Sequence, residues 1–129
     1  MTTEFTPQHT KLDRSKIPEE IKYHRVSRVL ELIYPDQYTS QLSSEFLRVH
    51  SPSAEVRGHS PAQAILQYGK KNVNIEGITL QGSYAIRISF EDKHDTGVYT
   101  WNYLWDLAEN QPDYWQQYLQ SLAVAGKSR

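Results

Sequence analysis

The chain has 129 residues, 15.0 kDa, and a formal net charge of −1 from 14 basic and 15 acidic side chains, which suits a single domain and leaves no electrostatic footprint for nucleic acid or an anionic membrane. It has no cysteine, so disulfides, thiolate nucleophiles and Cys-ligated metals are excluded together. Aliphatic content is modest, but 9 Tyr, 3 Trp and 3 Phe supply large apolar groups, and a folded, hydrophilic globule is expected.

Residues 1–20 hold Pro7 and Pro18 with no periodic apolar pattern and read as a flexible arm, order beginning near Ile21. The opening MTTEFTPQHTKLDR has no apolar h-region and no run approaches a membrane span, so a cytoplasmic, membrane-free protein is expected. From Tyr23 to Tyr34 the text YHRVSRVLELIY favours strand, with Leu30, Leu32 and Tyr34 on one face and Val29, Glu31 and Ile33 on the other. Pro35-Asp36-Gln37 predicts a turn, Tyr38–Leu42 a returning strand, and Ser43 the N-cap of a short helix through Phe46 and Leu47.

Ser51–Pro61 reads as an irregular loop. Val73 and Ile75 share one parity, Ile78 and Leu80 the other, which predicts a bulge or bend at Gly77. Tyr84, Ile86, Ile88 and Phe90 alternate with Ala85, Arg87 and Ser89 as a half-buried strand; EDKHD then links it to a return over Gly97–Thr100. Trp101, Leu104, Trp105 and Ala108 mark one helical stripe, and Tyr114, Trp115, Tyr118, Leu119 and Leu122 a second, after a break at Asn110-Gln111-Pro112. Gly126 stops the second helix, leaving a frayed tail over 126–129. Strands first and helices last predict an α+β domain over 21–125: a small twisted, mostly antiparallel sheet with C-terminal helices packed on one face.

Chemistry is sparse. Neither Gly82-Ser83-Tyr84 nor Gly58-His59-Ser60 has the flanking glycines of a nucleophile elbow, and Gly69-Lys70-Lys71 lacks the hydroxyl that ends a phosphate loop. Glu91, Asp92 and Asp95 gather only at a turn and read as a solvated hairpin tip. His9 falls in the arm, and His24 reads as a structural strand residue. His50, His59 and His94 would bind Zn²⁺ or Fe²⁺ only on converging. The helical spacing of Trp101, Trp105 and Trp115 indicates core packing, with Tyr103 turned outward. No interleaved Lys or Arg makes these rings a base-stacking platform.

The segments FLRVHSPSAEVRGH (46–59), GSYAIRISF (82–90) and HDTGVYTWNYL (94–104) together resemble the gamma-butyrobetaine hydroxylase-like N-terminal domain family over roughly residues 21–122. The resemblance implies a small domain of unknown function that stands alone in bacteria. In relatives it precedes the oxygenase domain of carnitine-synthesis hydroxylases or is fused to ATP-dependent iron–sulfur carrier proteins. It also implies a structural zinc position, its Cys-x-Cys-x2-Cys ligands falling on Ser51, Ser53 and Val56 and its His on His94. Hydroxyls and an aliphatic group in place of three thiolates imply a degenerate site, so no cofactor is expected. The family's Asp-Gly-His tip becomes Asp92-Lys93-His94, which places Lys where Gly accepts a positive φ. The expectation is a non-enzymatic, cytoplasmic accessory domain that binds a protein partner through Arg48, Arg57, His59 and His94. The alternative is a His-based Zn or Fe domain serving an oxygenase or iron–sulfur pathway.

Overall fold

A computed structural model describes residues 16–58 and 64–129. Six strands and four helices follow in the order β1 (Glu20–His24), β2 (Val29–Ile33), β3 (Thr39–Ser43), α1 (Ser44–Val49), α2 (Ala54–Arg57), β4 (Ile75–Gln81), β5 (Ala85–Phe90), β6 (Gly97–Thr100), α3 (Trp101–Glu109) and α4 (Gln111–Ala125). The α+β class holds, but the strands form two three-stranded antiparallel sheets, β1-β2-β3 and β4-β5-β6, rather than one. Long separation explains the split: residues 50–74 carry the chain away between β3 and β4, so each sheet is a local meander closed by short turns.

The first sheet follows its sequence pattern. Leu30, Leu32 and Tyr34 are fully buried on one face, with Leu42 opposite Leu30 on β3. The stretch from Tyr23 does not run straight through. Arg25–Arg28 form a turn in which Arg28 takes φ 57°, folding β1 back against β2. Pro35-Asp36-Gln37 turns as expected, the Tyr38 N–H donating to Asp36 Oδ1 at 3.1 Å. Ser43 caps α1, its Oγ accepting the Phe46 N–H at 3.0 Å.

In the second sheet the register slips between Ile75 and Gly77, leaving Glu76 as the extra residue of a bulge beside the predicted glycine. Ile86, Ile88 and Phe90 are buried as read, but Tyr84 stays outside β5 and half exposed, while Ala85 is buried in its place. Thr100 caps α3, accepting from the Tyr103 N–H. Leu107, outside the predicted stripe, is buried with Trp101 and Leu104, and Trp105 packs at the margin. One continuous core unites both sheets with α1 and α3; Val49, Tyr118 and Leu122 form a smaller cluster under α4. Gly126 closes α4 at φ 69°. The tail expected to fray is docked: the Ser128 carbonyl accepts the Gly69 N–H at 3.0 Å, and Arg129 grips Glu45 with two hydrogen bonds of 2.8 and 3.0 Å.

Candidate functional site

Two connections meet at one end of the core: the segment between α1 and α2, and the turn between β5 and β6. Ser51 leaves α1 with its side chain inward, and Ser53 N-caps α2 by accepting the Glu55 N–H. Opposite them, Phe90 and His94 close the β5–β6 turn with a backbone bond of 2.9 Å, and Lys93 sits at φ 74°. Lys93 thus carries, under strain, the left-handed backbone that a glycine would adopt freely.

The crossing is tied by hydroxyls and an imidazole. Ser51 Oγ and His94 Nε2 lie 2.8 Å apart, and Ser51 Oγ also accepts the Ser53 N–H at 3.2 Å. Ser53 Oγ meets Thr96 Oγ1 at 2.7 Å. His94 Nδ1 lies 3.5 Å from Glu55 Oε1. Val56 completes the group as a buried aliphatic. Gly97 is needed here, because a Cβ at that position would stand 2.7 Å from Ser51 Oγ.

The four implied metal positions therefore lie around one crossing, but their donor chemistry does not fit a thiolate-type zinc. Ser51 and Ser53 spend their hydroxyls on protein partners, Val56 offers no lone pair, and one imidazole nitrogen is bonded to Ser51. No group of three or more potential His, Cys, Asp or Glu ligands occurs among the described residues. Of the three histidines weighed together, His59 lies outside the described residues, as does His9. His50 is committed elsewhere: its Nδ1 is 2.8 Å from the Phe46 carbonyl, which only accepts, so Nδ1 carries the proton.

Glu55, His94 and Ser51 copy the order of a hydrolytic relay, carboxylate to imidazole to hydroxyl. Ser51 is only 1% exposed and its Oγ is enclosed by the Ser53 N–H and Gly97, which leaves a substrate carbonyl no approach. Burial, then the Arg48 charge, hold His94 below the ordinary imidazole range, against the opposing pull of Glu55 and Asp92. The neutral ring suits its role as a hydrogen-bonded strut.

Arg48 does not form an accessible surface. It is buried, its Nε donating to Asp92 Oδ2 at 2.9 Å and a terminal nitrogen to Gln67 Oε1 at 3.0 Å. Lys70 also reaches Asp92, at 2.6 Å. Asp92, exposed at the tip as are Glu91 and Asp95, is therefore ion-paired as well as solvated. Burial works to raise its pKa, but Lys70 and Arg48 outweigh it and hold the carboxyl below its ordinary range. His94 is likewise buried. Among the described residues of the expected binding set, only Arg57 is exposed.

Arg57 stands at the mouth of a cleft of about 540 Å³ between α2, residues 64–67 and the α3–α4 pair. Its guanidinium lies 4.8 Å from the centre of the Tyr103 ring. Tyr103 is not turned outward: its hydroxyl donates to the His50 carbonyl at 2.5 Å. Tyr114 donates to Asp106 Oδ2 at 2.9 Å on the facing wall, and Tyr118 donates to the Gln67 carbonyl at 2.8 Å. Burial raises the pKa of Tyr103, and that of Tyr118 to about 12, so both remain donors. Ile65 is 59% exposed on the rim. The Asp106–Tyr114 pair escapes sequence reading because it bridges two helices across the Asn110 break, and the Arg57–Tyr103 stack joins segments 46 residues apart.

Two small antiparallel sheets, a helical pair docked behind them and a strut-closed loop crossing define a compact α+β scaffold. The chain belongs to the gamma-butyrobetaine hydroxylase-like, N-terminal family, whose pattern matches residues 21–105. Among solved structures, a protein determined by NMR in solution is 50% identical, covering 88% of this chain and 89% of its own, with a TM-score of 0.76. A second NMR structure is 45% identical over 98% of this chain and 91% of its own, also with a TM-score of 0.76. A crystal structure from Acidithiobacillus ferrooxidans, described as a protein with unknown function of the DUF971 family, is 36% identical over 75% of this chain and 98% of its own, with a TM-score of 0.60. No curated protein matches the chain. Among the described residues no helix is long and apolar enough to cross a membrane.

Proposed function

We propose that the chain is a non-catalytic accessory domain of the cytoplasm that recognises a partner protein through the cleft beside Arg57. The observation carrying this reading is the pairing on one rim of an exposed cation with an exposed aliphatic. Arg57 is held over Tyr103, and Ile65 leaves most of its surface in water. Apolar surface rimmed by polar groups is a common mark of a docking site. The partner segment that fits presents an Asp or Glu to Arg57 and an apolar side chain to Ile65. The strut beneath supports the site, because Val56, adjacent to Arg57, is fixed in the crossing.

Affinity capture with untagged competitor protein tests the reading. Arg57→Glu and Ile65→Asp should each release the same partner, while Lys93→Gln retains it. Retention by both cleft variants overturns the assignment.

A further inference from the structure

We propose that a second concavity, at the start of α1, binds an organic phosphate monoester. It lies between the β1–β2 turn, the start of α1 and the start of α4, with a volume of about 480 Å³, a size suited to a small ligand.

Charge is the first argument. In a chain of net charge −1, this concavity collects Arg28, Lys71 and Arg129 against a single acidic side chain, Glu45. Glu45 is already consumed, both its oxygens bonded by the Arg129 guanidinium. Arg28 and Lys71 have no carboxylate partner among the described residues, and two neighbouring cations suit a phosphate monoester better than a carboxylate.

The second argument is a guanidinium with no acid of its own. Arg28 lines the concavity half-buried and joins no ion pair among the described residues, so its fork is available to an anion there. Arg28 is also held at φ 57°, a backbone strain of the kind found at ligand clamps. Its carbonyl is pinned by the Ser44 N–H at 2.9 Å, so the residue is fixed in the wall of the concavity.

The third argument sets the rest of the ligand. Pro112 and Trp115 form an apolar wall beside the cations, with the buried Phe46 beneath them, and Arg129 covers part of the Trp115 ring, 5.3 Å from its centre. A bare anion would leave that wall in water. An ester with a flat or aliphatic body would cover it.

Titration of the full chain, followed by amide chemical shifts, tests the proposal with phenyl phosphate, inorganic phosphate and benzoate. Phenyl phosphate should give saturable shifts around Arg28, Phe46 and Trp115, and bind several-fold more tightly than either other probe. Arg28→Gln should weaken it by about tenfold, the value of one charge-assisted hydrogen bond. Lys71→Gln, at an exposed side chain that carries no fold, should weaken it several-fold, and Lys93→Gln not at all. Absence of saturable shifts at millimolar phenyl phosphate overturns the site. So does undiminished binding by Lys71→Gln, which decides the matter should Arg28→Gln unfold. Equal affinity for inorganic phosphate overturns the ester assignment.

Discussion

Ser51 and His94, 43 residues apart in sequence, meet through a buried 2.8 Å contact between Oγ and Nε2 at the point where relatives are expected to hold a metal. One hydroxyl and one imidazole thus hold the two connections together, with Ser53 and Thr96 as a second tie.

Removing the hydroxyl should expose how much that tie contributes. Ser51→Ala leaves His94 Nε2 and the Ser53 N–H without their partner, at an expected cost of about 1–3 kcal/mol in chemical denaturation. Gly97→Ala should be comparably destabilising, because its methyl group would enter Ser51 Oγ. A fluorophosphonate probe should leave the wild-type chain unlabelled, since Ser51 is enclosed.

If the four positions retain the geometry of a ligand set, thiolates should bring the metal back. The triple variant Ser51→Cys, Ser53→Cys, Val56→Cys should bind one zinc per chain by elemental analysis, and zinc should raise its melting temperature. Adding His94→Ala should sharply weaken zinc binding.

Lys93 at φ 74° lies where a side chain is disfavoured. Lys93→Gly should stabilise the fold by about 1 kcal/mol, read as a higher denaturation midpoint, by relieving the left-handed backbone.

Acid should unfold the chain in two stages. Burial lowers the pKa of both His50 and His94 below the ordinary 6.5. Below pH 6.5 the unfolded chain therefore binds protons that the folded chain refuses, and stability falls until the depressed folded values are reached. Asp92, held below its ordinary 3.8 by Lys70 and Arg48, adds a second loss as pH falls below that value. Denaturation midpoints from pH 8 to 3 should show both declines, and Asp92→Asn should remove the lower one. Arg48→Ala, which leaves Asp92 with Lys70 alone, should cost about 1–3 kcal/mol.

Much of the fold was legible because it is local. The parity of Leu30, Leu32 and Tyr34, the slip at Gly77 and the caps at Ser43 and Gly126 are each decided within a few residues. The split into two sheets was not legible, since periodicity says which face of a strand is buried and not which strand lies beside it. The turn at Arg25–Arg28 was hidden because it contains the β-branched Val26 and runs straight into Val29, and none of its four residues is Gly or Pro. The site was half legible. Ser51, Ser53, Val56 and His94 were placed by family resemblance. Arg48 and His94 looked like surface groups because nothing in their local sequence announces Asp92 or Ser51 as a partner.

The most direct test is the melting temperature of untagged protein, measured with and without a strong chelator and read beside its metal content. If hydroxyl and imidazole have taken over the ion's role, the transition is unmoved by the chelator and the chain carries no stoichiometric metal. One zinc or iron per chain, with a melting temperature that drops when it is stripped, would contradict this.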